Sequence, residues 1–204
     1  IVFPINNIDE LLERSSFRLD KFIGDAGLEN IINKNKVNKK LKFSYKNDNI
    51  KELFDYSNLN NYSTKIHKIL TNIQKSNGIV FIYSQFLASG ILPLSLALEN
   101  LGYKKYGGSL LSKKYESKET KGNYIIISGN NDLSKNAYAD YIKIENKNIN
   151  GDKVKIIIGS ETAAEGLDFK YIREIHILEP WFHLNKLDQI IGRGIRNCSH
   201  IELS

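Results

Sequence analysis

Residues 189–196 combine an amide, two guanidiniums and a glycine at a spacing that suits phosphate chemistry. On a helix that advances about 100° per residue, Gln189, Arg193 and Arg196 fall on one side, with Gly192 beside them. A guanidinium can bind two oxygens of a phosphate at once, and a glycine leaves room for an approaching group. An ordinary amphipathic helix with a solvated basic face is the alternative. The aliphatic residues that would anchor the opposite side are Leu184, Leu187, Ile191 and Ile195.

A second polar segment follows the apolar run 156–158. It brings two hydroxyls, Ser160 and Thr162, and then Gly166 and Asp168. Hydroxyls and backbone N–H groups at the end of a strand can hold a phosphate of a nucleic-acid backbone. The acid could accept a hydrogen bond from a ribose hydroxyl. A purely structural interpretation is also open, in which Ser160 caps a helix.

Several parts of a self-sufficient nucleotide hydrolase are absent from the sequence. It contains no Gly-x-x-x-x-Gly-Lys-Ser/Thr phosphate loop, no Gly-x-Gly-x-x-Gly after a strand, and no acidic pair at a strand end that would hold magnesium. The four histidines lack metal-ligand spacing, and the single cysteine, Cys198, excludes an intramolecular disulfide. We therefore expect no metal site in the chain and no nucleotide hydrolysis by the chain alone.

The apolar pattern along the chain predicts alternating strands and helices. A continuous apolar run, typical of a strand buried on both faces, lies at 79–83. Three more predicted strands lie at 124–127, at 154–158, where Lys155 interrupts the apolar residues, and at 175–178, where His176 does. Helical spacing predicts a helix that begins at Ser63 or Thr64 and a second over 89–100 before Gly102. A third is predicted over 134–144, with Ala137, Tyr138, Tyr141 and Ile142 on one side. This order favours an α/β domain with a mostly parallel sheet flanked by helices. Ligands of such sheets gather at the carboxyl ends of the strands.

Composition and charge bound the class of protein. The 204 residues are 41% hydrophobic and 25% charged, which is globular, and no apolar run is long enough to span a membrane. The net charge of +6 is concentrated between residues 31 and 51, where seven lysines face one aspartate. Nucleic acid would suit such a patch, and a solvated loop rich in lysine and asparagine is the alternative.

The domain organisation is predicted from the same pattern. We expect residues 1–61 to be a partly helical, Lys/Asn-rich extension, with a linker or irregular insertion over 31–60. Residues 62–204 would form the main domain. The start Ile1-Val2-Phe3-Pro4 and the lack of methionine suggest a piece of a longer polypeptide. No signal peptide is visible, so an intracellular, soluble location is expected.

The ordered set of motifs resembles superfamily 2 helicases. Residues 160–168 are similar to motif V, and Gln-x-x-Gly-Arg-x-x-Arg at 189–196 matches motif VI. Residues 79–86 resemble motif IV, and residues 127–130 resemble a turn that the family places after a strand. The resemblance covers roughly 62–200. The strings at 179–182 and 197–200 look most like helicases of large cytoplasmic DNA viruses, including poxvirus-like early-transcription ATPases and giant-virus relatives.

The resemblance implies the C-terminal, RecA-like lobe of a helicase in which ATP and Mg²⁺ are held mainly by a first lobe. Arg196 would be the arginine finger, Arg193 would face the γ-phosphate, and Gln189 would position that phosphate or the attacking water. Gly166, Asp168 and Gly192 would lie by the nucleotide. The implied contacts to the backbone of DNA or RNA are Ser84, Gln85, Ser128, Ser160 and Thr162.

Some features depart from the family pattern. Glu165 stands where a basic residue is frequent, the helix over 134–144 lacks an arginine, and the chain stops before an expected final strand. The implied partners are the N-terminal lobe and transcription machinery, in the host cytoplasm or the virion. The alternatives are a non-catalytic binding module that keeps the lobe's fold, and an unrelated α/β enzyme.

Overall fold

A computed structural model describes residues 23–38, 40–161 and 169–179, and five single positions at 185, 188, 189, 191 and 192. Strands and helices alternate along most of these residues. A π-helix spans Leu87–Ile91. In chain order the other elements are α1 (Gly24–Ile31), β1 (Ile32–Val37), β2 (Lys40–Tyr45), α2 (Asp48–Glu52), α3 (Tyr56–Tyr62), α4 (Thr64–Lys75), β3 (Ile79–Tyr83), α5 (Leu92–Leu101), β4 (Tyr103–Lys105), β5 (Gly122–Ile127), α6 (Asn131–Ser134), α7 (Ala137–Glu145), β6 (Ile156–Gly159) and β7 (Ile172–Ile177).

The central sheet has five strands in the order β4-β5-β6-β3-β7, and every pairing is parallel. The strand β3 lies inside the sheet, and all five of its residues are buried. This explains why its sequence is a continuous apolar run rather than an alternating one. The four predicted strands are confirmed, and β7 begins three residues earlier than the apolar pattern predicts.

Side chains of β3 alternate between the two faces of the sheet and fill two separate cores. Val80 and Ile82 join a cluster with α4, α5 and the N-terminal elements. Ile79, Phe81 and Tyr83 join the cluster beneath α7, where Tyr141 and Phe169 pack. Helices therefore cover both faces, which is the RecA-like architecture that the sequence predicts.

Of the two helices next to β3, α4 begins and α5 ends where the sequence predicts. Ser63 caps α4, because its side chain accepts a hydrogen bond from the backbone N–H of Ile66. The helix α5 ends at Gly102, whose φ of 103° is a left-handed conformation that glycine adopts without strain. The predicted helix over 89–100 begins instead as the π-helix, which continues directly into α5.

The predicted irregular linker over residues 31–60 is wrong. Strands β1 and β2 form an antiparallel hairpin there, and α2 and α3 follow it. Phe43, Tyr45 and Ile50 are buried in the same cluster as Val80 of the sheet. The lysines conceal this pattern, because Lys34, Lys36 and Lys40 lie on exposed positions of the hairpin while a few apolar residues fill the buried ones.

A buried carboxylate fixes the loop against which the hairpin packs. Glu99 of α5 accepts hydrogen bonds from the Ser109 hydroxyl, from the backbone N–H of Leu110 at 2.6 Å and of Leu111 at 2.8 Å, and from the Tyr124 hydroxyl at 2.8 Å. Phe43 of β2 then donates its backbone N–H to the carbonyl of Leu110 at 2.8 Å. Glu99 therefore links α5, β5 and the hairpin.

The predicted helix over 134–144 is divided in two. Asn136 adopts a left-handed φ of 59° and separates α6 from α7. In α7, Ala137 and Tyr141 are buried, whereas Ile142, which the pattern places on the same side, is 42% exposed. Ile144 packs against the core in its place.

None of the helices in the described ranges is long and apolar enough to cross a membrane.

Candidate functional site

The carboxyl ends of neighbouring parallel strands are in register at one edge of the sheet, which we call the carboxyl edge. Tyr83, the last residue of β3, aligns with Gly159 of β6 and with Ile177 of β7. Gly159 in turn aligns with Ile127, the last residue of β5. The turns that follow these strands therefore lie side by side. Four of the predicted nucleic-acid contacts occupy them: Ser84, Gln85, Ser128 and Ser160.

The turn after β3 is closed by Ser84. Its hydroxyl accepts the backbone N–H of Phe86 at 3.3 Å and donates to the carbonyl of the same residue at 3.1 Å. Ser84 is fully buried, whereas Gln85 is partly exposed and Phe86 is 49% exposed. The Ser84 hydroxyl shapes the turn in this arrangement, and Gln85 and Phe86 are the residues that present surface.

Glu179 supports this turn, a role that the sequence did not predict. One oxygen of its carboxylate accepts the backbone N–H of Gln85 at 3.3 Å. Burial raises the pKa of the Glu179 carboxyl, and the nearby Ser84 hydroxyl and Gln85 N–H partly offset this rise. An acidic residue directly after the predicted strand at 175–178 is the sequence signal that could have identified it, because such a position reaches the carboxyl edge.

The turn after β5 is held by a network of hydroxyls. The Ser128 and Ser134 hydroxyls lie 3.1 Å apart, and the Ser134 hydroxyl donates to the carbonyl of Ser128 at 2.6 Å. Asn130 caps α6, since its side chain accepts the backbone N–H of Asp132 at 3.0 Å. Ser128 is partly exposed, so this turn is compact and polar and reaches the surface.

The turn after β6 is described only at its start. Ser160 is partly exposed, and its backbone N–H donates to the carbonyl of Ile127 at 3.0 Å, which fixes the turn beside that of β5. Glu161 follows in helical conformation and is exposed. The other predicted residues of this segment, Thr162, Gly166 and Asp168, lie outside the described residues.

The predicted phosphate-facing helix is described at a few positions. Gln189 and Gly192 are helical and exposed, and a Cβ added to Gly192 would meet nothing within 4 Å. An exposed amide beside an open glycine fits the approach of a phosphate group. Ile191, expected on the anchored side, is 38% exposed. Arg193 and Arg196 fall outside the part of the chain that the structure describes.

Metal-ligating side chains do not cluster in the described ranges. There, no group of three or more His, Cys, Asp or Glu residues is placed to hold a metal ion. Apart from the Glu179 carboxylate, which bonds to the Gln85 N–H, the polar side chains of the turns at the carboxyl edge are hydroxyls and amides. Such groups suit the oxygens of phosphates and sugars.

A parallel α/β sheet that gathers polar turns at its carboxyl edge defines a ligand-handling domain of the RecA-like class. Residues 63–198 match the family described as the helicase conserved C-terminal domain. This stretch includes β3 to β7 and all of the predicted site residues. The chain belongs to that family.

The relatives of this chain include viral proteins and a plasmid helicase. A protein of Acanthamoeba polyphaga mimivirus named as an ATP-dependent RNA helicase is 33% identical over 186 residues, 88% of this chain and 30% of the relative. A termination factor NPH-I homologue of African swine fever virus is 34% identical over 172 residues, covering 69% and 24% of the two chains. A helicase of killer plasmid pGKL-2 of Kluyveromyces lactis is 29% identical, covering 70% and 22%. The chain thus spans less than a third of each of these relatives.

Proposed function

We propose that this chain is the second motor lobe of an ATP-dependent nucleic-acid helicase or translocase of viral type, linked to transcription. The observation that carries the proposal is the alignment of three polar turns at the carboxyl edge, after β3, β5 and β6. These turns correspond to the segments that resemble motif IV, the turn at 127–130 and motif V. The helicase and termination-factor names of the relatives support the same function.

The nucleic acid would lie along the carboxyl edge. Ser128 and Ser160 have partly exposed side chains in adjacent turns, and Gln85 adds an amide in the next one. Thr162 would extend the row beyond the described residues. Hydroxyls and amides contact phosphate and sugar rather than base edges, so binding would depend on salt and only weakly on sequence. DNA and RNA both remain candidates.

The ATP site would be completed by a first lobe that carries the phosphate loop and binds Mg²⁺. Arg196 would stabilise negative charge on the transferring phosphoryl group, with Arg193 and Gln189 beside it. Gly166, Asp168 and Gly192 would lie by the nucleotide. The exposure of Gln189 and the open space around Gly192 support this use of the helix. The chain alone would then not hydrolyse ATP.

Substitution of the arginine finger tests the proposal in the full polypeptide. Arg196→Ala should reduce nucleic-acid-stimulated ATP turnover by roughly 10³-fold or more, because the finger acts on the transition state. Binding of a fluorescent ATP analogue should be nearly unchanged. Arg173→Ala is the matched control, since Arg173 is an exposed arginine near the amino end of β7. Turnover retained in Arg196→Ala would contradict the finger assignment. A full polypeptide without turnover would favour the non-catalytic module.

A further inference from the structure

A groove of about 690 Å³ lies beside the Ser128 turn, on the side of the outer strand β4. It is bounded by the loop after β4, by α6 and by the tip of the hairpin. The tip reaches α6 through an ion pair in which Lys36 Nζ lies 2.8 Å from the Asp132 carboxylate. The groove therefore continues the row of polar turns at the carboxyl edge towards the outside of the sheet.

The lining of the groove carries an excess of positive charge. Three lysines line it: Lys40 of β2, Lys105 of β4 and Lys135 at the end of α6. Its two carboxylates are balanced by lysines that do not line it. Asp132 pairs with Lys36, and Asp140 pairs with Lys143 at 3.0 Å. Among the described residues, no carboxylate forms an ion pair with any of the three lining ammonium groups, and the Glu99 carboxylate acts on Lys105 only from a distance.

Two lysines of the hairpin, Lys42 and Lys40, differ in how many of their ammonium protons are already bonded within the protein. Lys42 Nζ donates to the carbonyls of Ser109 at 2.7 Å and Leu111 at 3.1 Å and pairs with Glu116, so it is fully used inside the protein. Lys40 Nζ donates only to the carbonyl of Gly107, at 2.9 Å, among the described residues. An ammonium has three protons, so two of those on Lys40 remain for a ligand.

Lys105 is half-buried and has no hydrogen-bond or ion-pair partner in the described ranges. Burial and the nearby Lys40 charge lower the pKa of its ammonium. An anion in the groove would offset both effects. The backbone beside it is also open to approach, because Gly107 has a φ of 83° and a Cβ built there would meet nothing within 4 Å.

We propose that the groove formed by Lys40, Lys105 and Lys135 binds phosphates of the nucleic-acid strand that crosses the carboxyl edge. The identity of this ligand rests on the proposed function. The new element is the N-terminal hairpin, which lies outside the family-matched residues 63–198 and contributes Lys40 to the track. The groove adds a cationic end to a row that is otherwise built of neutral hydroxyls and amides.

Binding of labelled 20-nucleotide oligo(dT) and oligo(U), followed by fluorescence anisotropy across a salt series, tests the groove in the whole chain. Lys40→Glu and Lys135→Glu should each weaken binding by about two- to fivefold at low salt. Each should also reduce the slope of log affinity against log salt by about 0.7. Lys75→Glu is the matched control, because Lys75 is an exposed lysine of α4 before the amino end of β3. It should leave binding unchanged.

The outcomes distinguish a failure of the groove proposal from a failure of the proposed function. The groove proposal would be overturned if the Lys40 and Lys135 variants bound oligonucleotide like the unmodified chain. A loss of affinity no larger than that of Lys75→Glu would also overturn it. In that case, oligonucleotide binding by Ser160→Ala would still test the row of turns after β3, β5 and β6. No oligonucleotide binding by the unmodified chain also overturns the groove, while Arg196→Ala in the full polypeptide tests the motor lobe separately. Displacement of the oligonucleotide by polyglutamate at equal charge would assign the groove to an acidic protein segment instead.

Discussion

The Glu179 carboxylate accepts the backbone N–H of Gln85 at 3.3 Å and so joins the end of β7 to the turn after β3. Lys65 of α4 reaches the same point, since its Nζ lies 3.5 Å from the carbonyl of Leu178. Glu179 directly precedes the stretch that leads to the predicted phosphate-facing helix. One side chain thus connects a proposed nucleic-acid turn with the segment proposed to face ATP.

Removing the Glu179 side chain should destabilise the domain. Glu179→Ala leaves the Gln85 N–H without its partner, at a cost of about 1–3 kcal/mol in the free energy of unfolding. Glu179→Gln keeps an acceptor oxygen and should lose less. Urea unfolding at neutral pH measures both changes. Equal stability of the alanine variant and the unmodified chain would show that the contact adds nothing.

The contribution of Glu179 should depend on pH. Its pKa is raised above the ordinary value of 4.5, so the folded state binds this proton more tightly than the unfolded state does. The resulting stabilisation is fully present below about pH 4.5 and is lost as pH rises through the folded pKa. The unmodified chain should therefore lose stability relative to Glu179→Gln as pH rises from 4 to 8. A difference that stays constant or moves the other way would contradict the raised pKa.

The apolar sequence pattern was sufficient to predict four of the five strands of the sheet and the helix before β3. The run Ile79–Tyr83 predicts a strand buried on both faces, and β3 is buried throughout. In α4, all four residues at helical spacing are buried: Ile66, Ile69, Leu70 and Ile73. The placement of Ser84, Ser128 and Ser160 at one edge also followed from the sequence, because carboxyl ends of parallel strands meet there.

Other features depend on contacts between distant segments, which no local pattern carries. The sequence of the hairpin resembles a polar linker, yet Phe43 and Tyr45 are buried, and the backbone of Phe43 exchanges hydrogen bonds with the distant residues Leu110 and Ser112. Ile142 fits the predicted apolar side, but the left-handed Asn136 sets where α7 begins. The buried state of Ser84 depends on its bonds to Phe86, and composition gives no sign of them.

Glu99 should be among the most stabilising polar side chains of the described core. Burial and the Glu99 charge raise the pKa of Tyr124 well above its ordinary value, so the Tyr124 phenol stays protonated and donates to Glu99. Glu99→Ala would strand this hydroxyl and the backbone N–H groups of Leu110 and Leu111. We expect a loss of about 3 kcal/mol or more in unfolding free energy.

Urea unfolding with two further variants checks the assignment of Glu99. Glu99→Gln keeps one acceptor oxygen, but its amide NH₂ group would face donors that now bond to the second carboxylate oxygen. An intermediate loss of unfolding free energy is therefore expected. Glu119→Ala is the control, because Glu119 is exposed in the loop before β5 and should change stability by less than about 0.5 kcal/mol. A Glu99→Ala loss as small as that of Glu119→Ala would show that the loop finds other partners.

Gly90 should tolerate no side chain, because the π-helix brings it against the turn after β3. A Cβ added there would overlap the Ser84 hydroxyl and lie 2.9 Å from a Glu179 carboxylate oxygen. Gly90→Ala should therefore cost about 1–3 kcal/mol of unfolding free energy, as overpacking typically does. Gly192→Ala is the steric control, since a Cβ there meets nothing within 4 Å.

Combining Gly90→Ala with Glu179→Ala should cost less unfolding free energy than the sum of the two single changes, because both changes act on the same contact. Additive losses would show that Gly90 and Glu179 act independently.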